Sequence, residues 1–254
     1  MILQRRDWLL WAISNVVWRI PGRAALKMAG FSHTEAGSGL DMLAAVEETP
    51  RREMRARYFR HALDELKHSG MFRTRALALA DKPRSRAQAM LDDSSFIREH
   101  GINEADSLFS QFSEVEFLAL VWIAERRGAQ QFDVYADLMK EDQITQDMFS
   151  EIADDERFHI AYSRAELDRY IAAGHSQEVQ KAVAKIRRQR WLEAWLRFSV
   201  VLGDFMSKIW LGILYFTVIG PSAIMAHLSE KKTSGFITPD EPQTDRMVRA
   251  RLQG

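Results

Sequence analysis

The chain carries the same five-residue signal twice. Asp64-Glu65-Leu66-Lys67-His68 and Asp155-Glu156-Arg157-Phe158-His159 both read Asp-Glu-x-x-His, 91 residues apart. On a helix, residues three apart share a face, so the Glu and His of each copy can point at one ion. Neutral imidazole is a good nitrogen ligand, and a carboxylate can chelate or bridge. With 7 His and 18 Glu among 254 residues, chance alone supplies about 0.5 Glu-x-x-His matches, so a single copy says little. Requiring the preceding Asp in both copies lowers the odds to roughly one chain in two thousand, which makes the repeat informative.

Each copy has an acidic partner at the matching level. If two helices reverse at Pro50, the residue level with Glu65 is Glu35, because residue 50 is their midpoint. If a second pair reverses in Lys140-Glu141-Asp142, the residue level with Glu156 is Glu125. Glu35 and Glu125 are 90 residues apart, so the sequence predicts a duplicated helix pair. Glu47 and Glu48 sit too near the turn to be level with Glu65. Apolar residues line the same faces. Tyr58, Ala62, Phe72 and Leu79 flank Glu65, while Leu118, Val121, Gly128 and Phe132 flank Glu125. Ile152 and Ser163 lie near Glu156, and Phe31, Gly39 and Met42 near Glu35. An acid in such a stripe must be paired, protonated or metal-bound. Gly37 and Gly39 are expected to leave room beside a bound ion.

Composition narrows the chemistry further. The absence of cysteine removes disulfides, thiolate metal sites, iron–sulfur clusters and a cysteine nucleophile, so any metal must be held by His, Asp or Glu. Thirty-five basic and 35 acidic residues balance, which argues against nucleic acid as a partner. With only 13 Gly and 6 Pro, and no strand alternation or Gly-rich phosphate loop, the expected class is all-α. Helices are expected over 7–19, 32–48, 51–80, 106–139 and 143–173, with a mixed connection from Pro83 to Ile102 and a further helical region from Ser176. The expected organisation is a Trp-rich N-terminal helix (1–30), the duplicated bundle (31–175), an apolar helical segment (176–229) and a polar tail (230–254).

These motifs resemble the ferritin-like di-iron carboxylate superfamily, a four-helix bundle with one Glu from each of two helices and Glu-x-x-His from the other two. The resemblance covers residues 31–173 and implies a ferritin-like four-helix bundle with extra N-terminal and apolar C-terminal helices. It implies Glu35, Glu65, His68, Glu125, Glu156 and His159 as ligands of two Fe ions, with Mn as the alternative, and Glu65 and Glu156 as the bridging, catalytic carboxylates. Asp64 and Asp155 resemble acids that orient a ligand imidazole by accepting its other N–H. The implied activity is an O2-dependent oxidation, of hydroxylase, monooxygenase or desaturase type, of a hydrophobic small molecule, with electrons from an external donor. The rubrerythrin-type cysteine-rich domain is missing. Two other readings stand beside it: a ferroxidase or peroxide-scavenging member of the superfamily, and a non-enzymatic membrane-associated helical module.

The chain ends are apolar. Ile209 to Ala226 contains no charge, and back to Phe198 only Asp204 and Lys208 interrupt, four apart in the favourable acid-first order. Arg187, Arg188 and Arg190 precede this run, Lys231 and Lys232 follow it, and Gly220-Pro221 would kink it. It can pack on the bundle, enter a membrane or join two copies of the chain; a span needs ~20 apolar residues. The first helix, with Trp8, Trp11 and Trp18, reads as retained structure and not an export signal, because Asp7 and Asn15 interrupt its apolar run. The expected location is cytoplasmic, peripheral to or anchored at a membrane.

The remaining polar residues carry ordinary expectations. His61, one turn before Glu65, reads as an ordinary partly buried histidine, with a supporting contact to the ligands as the alternative, and His33, His100, His175 and His227 read as structural or exposed. Tyr58 and Tyr162 read as core packing, Glu114 as a helix-start acid and Glu116 as exposed. Arg51, Arg52, Arg55, Arg57 and Arg60 read as a solvated face, with an acidic partner or anionic lipid as the alternative.

Overall fold

The structure, a computed structural model, describes residues 5–80, 85–93 and 107–229. The polar tail expected over 230–254, His100, and most of the Pro83–Ile102 connection lie outside the described residues. The described residues are all helical or turn, with no strand among them. The elements are α1 (Arg5–Trp18), α2 (Arg23–Glu48), α3 (Arg52–Ala78), α4 (Arg86–Asp92), α5 (Glu114–Leu138), α6 (Gln143–Ala172) and α7 (Ser176–Leu214). A π-helical turn (Tyr215–Ile219) and α8 (Gly220–Ser229) follow.

Two compact units form, Met1–Trp191 and Leu192–Gly254, with α7 running through both. In the first unit α2 packs along α3, and α5 along α6. Each pair is a tight hairpin. Thr49 to Arg51 joins the first, and Met139 to Asp142 joins the second. The turns are built from their own side chains. Thr49 Oγ1 accepts the Arg51 N–H at 3.3 Å, and Asp142 accepts the Thr145 N–H at 3.2 Å. Ser113 and Glu116 form a reciprocal capping box at the start of α5, a feature whose loss costs about 1 kcal/mol. That box explains why α5 begins at Glu114 and not at 106, where the apolar pattern alone would start it. At the end of α6, Gly174 takes a φ of 94°, a left-handed stop that favours glycine. Helix α2 begins earlier than expected, at Arg23. Pro21 and Gly22, with φ 73°, form the break, and the Gly30 region continues as helix.

The core has two apolar clusters with a polar layer between. One joins Trp18, Met28, Phe72, Tyr135, Phe149 and neighbours from α1 to α6. The other joins Met42, Tyr58, Phe117, Leu118, Leu167 and, from α7, Ile186. Along α2, α3, α5 and α6 the acids and histidines of the repeated motif lie between the residues of these two clusters. Gly39 departs from expectation. A Cβ there would lie 3.0 Å from the Leu66 side chain, so its space is filled by α3 and serves close packing of the hairpin.

In the second unit the helix stays exposed. Met206–Leu228 is a 23-residue stretch of mean hydropathy 1.8 with none of its 18-residue window buried. Asp204 and Lys208 pair at 2.7 Å, as their spacing predicts. Pro221 does not break the chain. The wide turn over Tyr215–Ile219 absorbs the missing N–H just before α8, and Thr217 Oγ1 donates to the Ile213 carbonyl at 2.7 Å.

Candidate metal centre

All six residues of the repeated pattern meet in the polar layer. Glu35 projects from α2, Glu65 and His68 from α3, Glu125 from α5, and Glu156 and His159 from α6. Together with a seventh residue, His61, they form two groups that share Glu65: Glu35, Glu65, His68 and Glu156, and His61, Glu65, Glu125 and His159. Within each group the ligand-type atoms all lie within 4.8 Å of one another. Every member is buried, His68 and His159 completely.

The aspartates act across the hairpins. His68 Nε2 donates to Asp155 Oδ2 at 3.1 Å, and His159 Nε2 donates to Asp64 Oδ2 at 3.2 Å. Each pentapeptide's Asp therefore fixes the histidine of the other. Each aspartate also faces a cation: Lys67 at 3.1 Å from Asp155, and Arg60 at 3.9 Å from Asp64. Burial raises both aspartates, but the histidine hydrogen bond together with the neighbouring cation, Arg60 for Asp64 and Lys67 for Asp155, holds each below the usual range. With Nε2 committed, both imidazoles turn Nδ1 inward. His159 Nδ1 lies 3.4 Å from Glu156 and 3.7 Å from Glu65; His68 Nδ1 lies 3.8 Å from Glu156. Burial lowers the pKa of both histidines, which favours the neutral, ligating form.

The carboxyl groups are crowded. Glu35 and Glu65 meet carboxyl to carboxyl, as do Glu125 and Glu156. Burial, then the neighbouring charges, pushes Glu35 and Glu156 well above the carboxylate range, and burial pushes Glu65 up to about 8. Burial would raise Glu125 too, but hydrogen bonds with Glu156 and His61 hold it low. Like charges this close cannot all ionise without protons or cations between them. Of four buried side-chain polar atoms without a hydrogen-bond partner among the described residues, two lie in this layer, Glu65 Oε2 and His68 Nδ1; the others are Trp18 Nε1 and the Tyr58 hydroxyl. Unsatisfied buried polar atoms are rare in folded proteins, and the two in the layer face the same group of acids. A hard divalent cation satisfies such a donor set of carboxylate oxygens and imidazole nitrogens.

Sequence reasoning placed His61 outside the centre. The structure buries it completely and sets its Nε2 2.9 Å from Glu65 and 3.5 Å from Glu125. The available signal was its position one helical turn before Glu65, on the same face. Sequence reasoning also missed Glu166, which is fully buried and held by Arg51 at 2.8 Å and by Arg57 and Arg169 at 2.7 Å. The arginine run is thus partly a set of counter-ions, because the seven-residue step from His159 puts Glu166 on the inward face of α6. Glu114, the first residue of α5, joins this network through Arg51 at 3.3 Å and the Tyr170 hydroxyl at 2.9 Å. Glu116 is half-buried and paired with Lys185. His33 is buried and donates to the Met90 carbonyl at 2.6 Å. Tyr58 and Tyr162 are core residues, but Tyr162 also lies 2.8 Å from His61 Nδ1.

An apolar groove of about 650 Å³ lies between α3 and α6, lined by Lys67, Gly70, Met71, Thr74, Ile144 and Met148 among others. The arrangement is a helical scaffold whose buried His and Glu groups can hold a metal ion. No protein-family model matches the chain, and no curated protein or solved structure matches it either.

Proposed function

We propose that the chain is a ferritin-like four-helix bundle that holds two iron ions and uses them in an O2-dependent oxidation of a hydrophobic small molecule. The observation that carries this reading is the doubled, half-satisfied donor set: four facing carboxyl groups and two inward Nδ1 atoms, oriented by crossed aspartates, in a layer sealed by apolar clusters. Glu35, Glu65, His68, Glu125, Glu156 and His159 would hold the ions, with Glu65 belonging to both donor groups. Two ferrous ions held there supply the electrons and Lewis acidity that activate dioxygen, with manganese as the alternative occupant.

The remaining work belongs to the chain. Deprotonating Glu35, Glu65 and Glu156 accompanies loading, so metal uptake releases protons. Four carboxylates then balance the charge of two divalent ions. Asp64 and Asp155 keep the two imidazoles in one tautomer. The clusters around Phe72 and Phe117 exclude water, which directs the oxidant to substrate. The groove at Met71 and Met148 offers an apolar approach along α3. Electrons come from a separate donor.

The second unit supports a membrane-anchored form of this enzyme. Twenty-three residues at 1.5 Å each span about 34 Å, against a hydrocarbon core of ~30 Å. Trp191 and Trp195 upstream are exposed, as interfacial anchors would be, and basic residues flank both ends.

The test is metal analysis of the purified chain with oxygen uptake after anaerobic reduction. About two irons per chain and reductant-dependent O2 consumption are expected, and Glu65→Ala with Glu156→Ala should abolish both while the helical spectrum persists. Iron oxidation without any organic substrate, in an assembled oligomer, would instead mark a ferroxidase. A chain that binds no metal overturns the reading.

A further inference from the structure

His61 lies outside the ligand set used above, yet it is as much a part of the centre as His68 and His159. Its ring is fully buried and stacks on His159, with centroids 3.5 Å apart and planes 18° from parallel. Its Nε2 lies between two acids of the layer, 2.9 Å from Glu65 Oε1 and 3.5 Å from Glu125 Oε1. Its Nδ1 is held from behind by the Tyr162 hydroxyl at 2.8 Å. The plan matches that of the other two histidines: one ring nitrogen is anchored by a polar side chain, and the other turns toward the carboxyl groups. Ligands at right angles on bonds of ~2.1 Å sit ~3.0 Å apart, and the spacings of His61 Nε2 fall near that value.

We infer that His61 is a third imidazole ligand, so that the two metal positions are chemically unequal. This rests on the di-metal reading of the site. One position takes His61, His159, Glu65 and Glu125, with two nitrogen donors. The other takes His68, Glu35, Glu65 and Glu156, with one. Imidazole favours later first-row ions more than carboxylate does, so the two-histidine position fills first and retains its ion longer. With an ion bound, Nδ1–H would donate to the Tyr162 oxygen and the Nε2 lone pair would face the cation. A lone pair facing two carboxylate oxygens is tolerable only with a positive ion between them. Without the ion, the tautomer reverses and Nε2–H donates to Glu65.

Cobalt(II) is the probe, because its visible absorption reports each ligand field separately. The full-length chain, stripped of metal, should titrate in two phases, the tighter one belonging to the His61 position. His61→Gln keeps an N–H donor for Glu65 but supplies no imidazole. It should weaken the tighter phase tenfold to a hundredfold and leave the weaker phase in place. His68→Gln should do the reverse. If His61→Gln binds cobalt as the wild type does, His61 is only a hydrogen-bond donor and the inference falls. Should His61→Gln fail to fold, the cobalt-loaded wild type still decides the matter. Three paramagnetically shifted imidazole N–H resonances are expected, and two would overturn the proposal. A wild-type chain that takes up no cobalt removes the di-metal reading itself, an outcome distinct from loss at one position.

Discussion

The two units invert each other. Met1–Trp191 hides ionisable groups inside: Glu65, His68, Glu156, His159 and Glu166 are each at most 1% exposed. Leu192–Gly254 shows apolar groups outside: Trp210, Leu211, Phe216, Ile224 and Leu228 are each more than 60% exposed. Each is costly in water alone, for opposite reasons. A buried charge without a partner loses its hydration, and an exposed apolar helix orders water around it. Glu166 shows how the first unit satisfies such a group from its own chain, with three arginines closing on one carboxylate. Among the described residues no arginine or lysine pairs with the Glu35–Glu65–Glu125–Glu156 layer, and none of the apolar window in Met206–Leu228 is buried. The contrast is between a buried charge neutralised within the chain, at Glu166, and a four-carboxyl layer that could hold an external ion.

The largest test of this contrast is at the helix. Leu211→Arg with Ile213→Arg places two charges within Met206–Leu228, at roughly 3 kcal/mol each on insertion scales. Vesicle flotation should move the protein from the membrane fraction to the soluble one, with metal content unchanged. Retention in the membrane fraction would break the assignment of lipid as the missing neighbour. Next is Asp155→Asn, which weakens the acceptor for His68 Nε2 and leaves every ligand atom in place. Metal affinity should fall tenfold to a hundredfold, read by competition with a chelator. An unchanged affinity would demote the crossed aspartates to ordinary surface pairs.

The smallest effect is a pH dependence confined to the metal-free protein. Glu65 is raised in the folded state from 4.5 to about 8, and Glu35 and Glu156 are raised in the same direction. A folded-state pKa above the unfolded value contributes stability that is full below the unfolded pKa and is lost as pH rises through the folded one. The Tm of chelator-treated protein should therefore fall between pH 5 and pH 8, and the metal-loaded protein should not follow it. A metal-free Tm that rises between pH 7 and pH 8, above the range in which the lowered His68 and His159 add stability as pH rises, would mean that the carboxyls find a cation within the chain.

Much of the first unit was legible because its information is periodic. The Asp-Glu-x-x-His repeat, its 91-residue spacing and the level glutamates at 35 and 125 follow from 3.6 residues per turn and from a hairpin reversing at a known break. Helix starts were less legible where a cap and not a hydrophobic pattern decides them, as Ser113 does for α5. Gly39 was misread because a missing side chain does not reveal whether a ligand or a neighbouring Leu66 occupies its space.

By itself, the sequence determined the chemistry on offer: no thiolates, a duplicated set of carboxylates and imidazoles, and one long apolar run. Periodicity fixes which face of a helix a residue occupies, and that is a local property. Only the tertiary structure decided the pairings across helices. It set Asp64 against His159 and Asp155 against His68, brought His61 between Glu65 and Glu125, and closed Arg51 and Arg57 on Glu166. Those choices depend on the rotation and depth at which two helices pack, which side chains far apart in sequence set together.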